Sequence, residues 1–447
     1  MFLQLMRDDK KYELWGYWQR LGTQDKMVAA YQDALTQSEK ASVKENLSYE
    51  LNELAYFFKT VGYYPASEPL YQRALAISEQ VLGAQHPDTA TSLNNLAALL
   101  SSKGDYDGAE PLYKRALAIY EQVLGAQHPD TASSLNNLAG LLSSKGDYDG
   151  AEPLYKRALA IYEQVLGAQH PLTTTSLNNL AGLLNNKGDY DGAEALFQRA
   201  LAIREQVLGA QHPSTATSLN NLAGLLFDKG DYDGAEPLLQ RALAIREQVL
   251  GAQHPSTATS LNNLAELLRN QGDYDGAEPL YQRALAIREQ LLGTQHPYTA
   301  TSLNNLAALL SDKGDYDGAE ALFQRALAIY EQVLGAQHPE TAASLNNLAE
   351  LLRKKGDYDG AEPLYQRALA IREQVLGAQH PYTATSLNNL AELLRNKGDY
   401  DGAEPLYQRA LAICEQVLGA EHPNSVRVRN NLARLLNLKS HSSTANY

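Results

Sequence analysis

An all-α solenoid of stacked antiparallel helix pairs is the fold this sequence predicts, and three observations lead there. The segment from His86 to Gln127 recurs with few changes from His128, His170, His212, His254, His296, His338 and His380, giving eight consecutive 42-residue units that end at Glu421. Within each unit, apolar residues fall at helical spacing. Glycine and proline stand where such helices must stop and start.

Composition sets the frame. A chain of 447 residues ordinarily suggests several globular domains, but regular internal repetition replaces that expectation with one extended array. The hydrophobic share of 44% is too high for a disordered chain, and no apolar run of about 18 residues offers a membrane span. The opening "MFLQLMRDDKKYELW" places charges directly after a few apolar positions and has no small-residue cleavage site, so a cytoplasmic protein is expected. A lone cysteine, Cys414, can form neither an internal disulfide nor a thiolate metal cage, and Tyr, Arg or Ser fills its position in other repeats. The net charge of −14 disfavours neutralisation of a phosphate backbone, which excludes nucleic acid as the expected partner.

The domain plan follows from how closely each stretch keeps the repeat. Residues 1–43 are expected to hold N-terminal helices of a degenerate repeat, with "WGYWQRLGTQDKMVAAYQDALTQ" from Trp15 as its trace, and residues 44–85 a divergent first repeat. Residues 86–421 carry the eight near-identical units, 422–439 a capping helix and 440–447 a polar tail. Deviant ends suit a stack whose terminal units face solvent.

Each unit reads as two helices. In the first, Leu93, Leu96, Ala97 and Leu100 fall at i, i+3, i+4 and i+7, one buried face. "KGDYDG" then breaks it: Gly104 suits a helix end, and Asp107 with Glu110 three residues on is expected to form a reciprocal capping box. Pro111 is expected near the start of the second helix, whose apolar set is Leu112, Tyr113, Ala116, Leu117, Ile119, Val123 and Leu124. Gly125 stops that helix, and Pro129 fits the first turn of the next. One such pair cannot bury both apolar faces, so neighbours must stack around a continuous core.

These residues carry a family resemblance. Alanine at 97, 109 and 116, glycine at 104, tyrosine at 106 and an aromatic at 113 sit at the spacing of the tetratricopeptide repeat. The 42-residue period, with "HP…TA.SLNNLA.LL…KGDYDGAEPLYQRALAI.EQVLG", resembles more specifically the repeat domain of kinesin light chains and their bacterial relatives, over Leu51 to Lys439. The resemblance implies a right-handed superhelical α-solenoid that binds peptides in its concave groove. The sequence departs from kinesin light chains in having no long N-terminal heptad segment, which puts a motor role in doubt.

Helical geometry then gives the repeated "NN" pair a purpose. With the apolar face centred between Leu93, Leu96, Ala97 and Leu100, the residues pointing most nearly away are Thr91, Asn95, Ala98 and Ser102. In the family that the repeats resemble, this face lines the groove. Stacking would set Asn95, Asn137, Asn179, Asn221, Asn263, Asn305, Asn347, Asn389 and Asn431 in a row, while the Asn94 series serves packing between repeats. A primary amide offers donors and an acceptor together, so the row is expected to hold the backbone of an extended peptide. The competing explanation is that both asparagines bridge adjacent repeats.

Specificity must then come from positions where the units differ. The Ala98 position becomes Gly140, Gly182, Gly224, Glu266, Ala308, Glu350, Glu392 and Arg434; one turn on lie Phe227, Arg269, Arg353 and Arg395, and after the His-Pro pair Tyr298 and Tyr382. Aromatic and arginine side chains are the usual anchors of interfaces, so the strongest contacts are expected between Phe227 and Arg395. Glu350 with Arg353, and Glu392 with Arg395, also stand at i, i+3 and can pair with each other.

Other chemistry is disfavoured. The "HP" histidines are 42 residues apart on stacked helices, too distant to share a zinc ion, and are expected to make helix-start or loop hydrogen bonds. "GDYDG" lacks the ligand pattern of a calcium loop, no "GxxxxGK" phosphate loop is present, and every candidate acid recurs in equivalent units, so neither enzymatic activity nor a cofactor is expected. The expected function is a protein-interaction scaffold for a protein or peptide ligand, monomeric, without nucleic-acid or membrane partners. Alternatives are a self-associating structural array, against which the arginine-rich final helix (Arg427, Arg429, Arg434) argues, and a sensor or regulatory subunit of a signalling complex.

Overall fold

In the computed structural model, residues 44–60 and 63–444 are described, so the helices expected within residues 1–43 lie outside the described residues. The described residues form nineteen α-helices joined by short loops, and no strand. Contacts divide the chain into two compact units, Met1–Leu138 and Ala139–Tyr447, and in each the described residues form stacked antiparallel helix pairs.

The histidines start the first helices. In Pro255–Gln271, His254 has extended backbone and its Nδ1 accepts from the N–H of Ser256 at 3.0 Å, with proline following in the first turn. The same hydrogen bond recurs at His86, His212, His296 and His380, as the sequence leads one to expect. Thr257 Oγ1 donates to the carbonyl of Gly251 at 2.9 Å and pins the loop before the helix. Gly272, at φ 86°, ends the helix in the left-handed region, and the N–H of Asp273 returns to the carbonyl of Leu268 at 2.9 Å.

The second helix departs from expectation. Its N-cap is Asp105, whose carboxylate accepts from the N–H of Gly108 at 2.9 Å, and the helix is Tyr106–Val123. Asp107 therefore lies inside the first turn, and the expected cap by Asp107 and Glu110 is replaced. Gly108 makes the choice: the Asp105 carboxylate folds over it, into the space that any Cβ would occupy. Pro111 is the sixth residue of the helix rather than near its start, so the carbonyl four residues back lacks its usual N–H partner.

Alanine lets the helices approach, and leucine fills the gaps. Ala258, Leu261, Ala284 and Ile287 form one buried cluster; Ala265, Ala277, Tyr281, Leu306 and Leu309 form the next, across the joint between repeats. The buried stripe differs by one residue from the sequence reading, since Leu99 is buried and Leu100 only half-buried. On the outer side each loop lysine reaches back to the preceding repeat. Lys355 pairs with Asp317 at 3.0 Å and Glu320 at 2.7 Å, and Lys397 with Asp359 at 2.9 Å and Glu362 at 2.8 Å. Such exposed pairs are worth about 0.2–1 kcal/mol each and act here by repetition.

Within the second unit, distant repeats also meet. The His380 Nδ1 accepts from Tyr382, so its Nε2 carries the proton and donates to the carbonyl of Ser144 at 3.2 Å. A Cβ on Gly146 would stand 3.0 Å from the His380 ring and 3.1 Å from Pro381, and one on Gly188 would stand 2.9 Å from His422, one repeat further along both strands of the contact. Gly146 and Gly230 share a positive φ, 77° and 79°, but nothing lies within 4 Å of a Cβ at Gly230. Both Gly→Ala changes should therefore cost roughly 1 kcal/mol of backbone strain, and Gly146→Ala should cost measurably more. Equal losses in urea unfolding of the two variants would show that the contact of Gly146 with His380 contributes nothing.

No described helix is long and apolar enough to cross a membrane. The final helix is Pro423–Thr444, continuing through Ser440, where the sequence reading had placed the tail.

Candidate functional site: the asparagine face

The first helices of successive repeats lie side by side, and their asparagines join them. In the second unit Asn221 Nδ2 donates to Asn178 Oδ1 at 3.3 Å, Asn263 to Asn220 at 3.3 Å, Asn389 to Asn346 at 2.9 Å and Asn431 to Asn388 at 3.0 Å. In the first unit Asn95 donates to Asn52 at 3.2 Å. The acceptors, of the Asn94 series, are mostly buried and continue the chain inward. Asn220 donates to the Ser260 hydroxyl at 3.3 Å and Asn262 to that of Ser302 at 3.2 Å. The Asn94 series thus bridges repeats, as expected. Asn95, Asn221, Asn263, Asn389 and Asn431 bridge them too, each with one N–H, which the clamp reading did not include.

Where it is made, that bond fixes the outer amide without using it up. Asn179, Asn221, Asn263, Asn305, Asn347 and Asn389 are all half-buried, and Asn137 is exposed. An amide has two N–H groups and an oxygen with two lone pairs, so one donated bond leaves a donor and an acceptor.

The variable residues fall into two groups. From Arg269 onward they are largely taken by each other. Asp312 holds both Arg269 at 2.9 Å and Lys354 at 3.0 Å. Glu350 is gripped by Arg353, Nε to Oε2 at 2.8 Å, and accepts from the Tyr365 hydroxyl at 2.8 Å. Arg353 holds Glu350 below the ordinary carboxylate range against the opposing effect of burial, which is itself the largest influence on that group. Arg353 also stands 3.8 Å from Glu392, which Arg395 contacts at 3.3 Å. The i, i+3 pairs expected from spacing are formed, and they extend into a string across repeats.

Phe227 and Glu266 behave differently. Phe227 is half-buried against Tyr232, ring centroids 5.3 Å apart, and with Glu266, Asp228, Leu239, Gly224 and Asn263 it lines a concavity of about 270 Å³. Tyr298 and Tyr382 remain 59% and 62% exposed at the starts of their helices, enough to offer a ring face to a partner. Each stacks beside its histidine at 5.2 Å and lies under a guanidinium, Arg288 at 5.8 Å and Arg372 at 5.7 Å.

Those arginines escaped the sequence reading. Arg288 is buried and donates only to neutral groups, the Tyr298 carbonyl at 3.0 Å and the hydroxyls of Ser302 at 2.9 Å and Thr259 at 3.4 Å, and burial pulls its pKa down to about 10. The signal was present: this position, filled by Tyr, Arg, Ser or Cys, varies between polar and aromatic residues on an otherwise mostly apolar stripe. Where it is tyrosine, Tyr330 bonds the Thr301 hydroxyl at 2.9 Å instead. Among the described residues no group of three or more His, Cys, Asp or Glu side chains could hold a metal ion.

A tetratricopeptide repeat family model matches residues 47–122, 93–164, 130–185, 172–248, 214–290, 256–332, 298–374 and 340–395, and a second tetratricopeptide repeat model matches 383–424. No curated protein matches the chain. Among solved structures it is similar to a kinesin light chain candidate of Podosopora anserina with nearly identical TPR-like repeats, at 28% identity over 46% of this chain and 97% of that one, TM-score 0.39. It is also similar to BtubC (BKLC) of P. vanneervenii, at 26% identity over 56% and 93%, TM-score 0.41. A Rap protein complexed with competence and sporulation factor shares 16% identity over 79% and 99%, TM-score 0.48.

Proposed function

The chain belongs to the tetratricopeptide repeat family, and from that premise we propose that it is a protein-interaction scaffold whose asparagine face holds an extended peptide segment. The observation that carries this reading is the amide chain itself. Asn221, Asn263 and Asn389 are each oriented by a bond to a neighbouring asparagine, as Asn263 is by Asn220 at 3.3 Å, so their remaining donor and acceptor are presented in a fixed direction. Preorganised amides lower the ordering cost of binding. They address peptide N–H and C=O groups and ignore side-chain identity, which leaves selectivity to Phe227, Glu266, Tyr298 and Tyr382. The mutually paired Glu350, Arg353, Glu392 and Arg395 are weaker contributors in this reading, because a ligand must displace their partners first.

The test is binding of the purified chain to a peptide library beside the Asn263→Ala/Asn305→Ala/Asn347→Ala variant, after circular dichroism shows both folded. Selected peptides should lose at least about tenfold in affinity in the variant, corresponding to about 1.4 kcal/mol. Equal binding by both proteins would make the row purely structural.

A further inference from the structure

One repeat in the second unit has a leucine where every other repeat of that unit has an aromatic ring, in four of them with a hydroxyl. At the position of Tyr155, Phe197, Tyr281, Phe323, Tyr365 and Tyr407 this repeat carries Leu239. The consequence is visible at the glycine above it. A Cβ at Gly140 would meet the Tyr155 hydroxyl at 3.4 Å, whereas a Cβ at Gly182, in the repeat of Phe197, or at Gly224, in the repeat of Leu239, would meet nothing within 4 Å. Leucine for tyrosine and glycine for a side chain together open the concavity, with Phe227 as one apolar wall and Leu239 as its floor.

Its rim is acidic and makes no ion pair among the described residues, Arg269 acting on Glu266 only from beyond 4.0 Å. Glu266 occupies the position of Glu350 and Glu392, which Arg353 and Arg395 contact. The corresponding arginine, Arg269, is instead drawn to Asp312 of the next repeat at 2.9 Å. Among the described residues Glu266 and Asp228 have no cation within 4.0 Å; Asp228 accepts only from the amide of Asn185, at 2.7 Å. Beside Glu266, fully buried Tyr281 has a hydroxyl without a partner, while the equivalent Tyr365 donates to Glu350.

We propose that this pocket takes the side chain of one arginine or lysine of the bound segment, its aliphatic stem on Phe227 and Leu239 and its cationic head between Asp228 and Glu266. The proposal rests on the groove reading above and names the chemistry of the ligand it selects. An apolar floor under an anionic rim matches a side chain that is apolar along its stem and charged at its tip. The neighbouring Asn263 amide can hold the peptide backbone at the same repeat, so anchor and clamp coincide.

The experiment uses the full chain and fluorescein-labelled short peptides of alternating serine and valine, with one central position occupied by Arg, Lys, Ala or Glu, titrated by fluorescence anisotropy. The Arg and Lys peptides should bind roughly tenfold tighter than Ala, with Glu weakest, since two partly exposed carboxylates add a modest preference for a cation. Glu266→Gln/Asp228→Asn should erase the preference while the Ala peptide still binds. Leu239→Tyr, which restores the residue of the other repeats, should do so by filling the hole. Equal binding of all four peptides that still depends on Asn263, Asn305 and Asn347 would overturn the pocket and keep the groove. Binding of none, or binding indifferent to every substitution, would overturn both.

Discussion

Leu303→Ala is expected to destabilise the second unit by roughly 2–5 kcal/mol, the range for deleting a buried leucine side chain. Leu303 is fully buried among Ala300, Ala326, Ile329 and Tyr330. Two of those neighbours are alanines on closely approaching helices, and their short side chains cannot swing into the space left behind. The cavity would persist. Because each repeat contacts chiefly its neighbours, stability in such an array is close to a sum of repeat and interface terms. Damage in the repeat of Leu303 should therefore split the unfolding of this unit, and hydrogen exchange should report early opening confined to the helices Pro297–Lys313 and Tyr316–Val333. A loss below about 1 kcal/mol, outside that range, or exchange that stays uniform along the unit, would mean that the clusters are not packed as described.

Acid should weaken the second unit through His380. Burial disfavours the imidazolium and brings the pKa of this ring down to about 4, with the Ser144 carbonyl opposing that effect and the charge of Arg372 adding to it. The Tyr382 ring, on the helix that His380 caps, stands beside it, centroids 5.2 Å apart. The folded pKa lies below the ordinary histidine value of about 6.5, so the unfolded chain binds the proton first. The stabilisation is fully present above about pH 6.5 and is lost as pH falls towards 4, with a ceiling on the order of 3 kcal/mol. His254 and His422 are lowered in the same direction by burial and add to the trend. In His380→Asn, which keeps a capping oxygen for the N–H of Tyr382, the unfolding midpoint should fall less steeply over the same window. Identical pH profiles for the two proteins would rule out this site as the cause.

Much of this architecture was legible in the sequence because repetition displays its own rules. The helix pairs, the glycine stops and the capping histidines each follow from a local requirement met in every unit. What was not legible depends on which of two near-equivalent residues wins. Asp105 and Asp107 both suit a cap, and only the fold of the carboxylate over Gly108 decides between them. The asparagine pair was half read: the outward direction of Asn95 follows from helical angle, but its bond to Asn52 needs the spacing between helices. Likewise Arg269 stands at i+3 from Glu266 just as Arg353 does from Glu350, yet Asp312 on the next helix captures it. The importance of Leu239 was hidden because leucine at an apolar position draws no notice until the hydroxyl it replaces is seen to fill a space.

The most direct test of the asparagine face is the side-chain amide spectrum of asparagine-labelled protein, recorded by NMR with and without a library-selected peptide. The account predicts shifts and slowed exchange at Asn221, Asn263, Asn305 and Asn347, with the inner Asn220 and Asn262 amides nearly unmoved. Peptide-dependent changes that spare all of these amides and fall instead on outer-face residues such as Lys313 and Lys355 would contradict it.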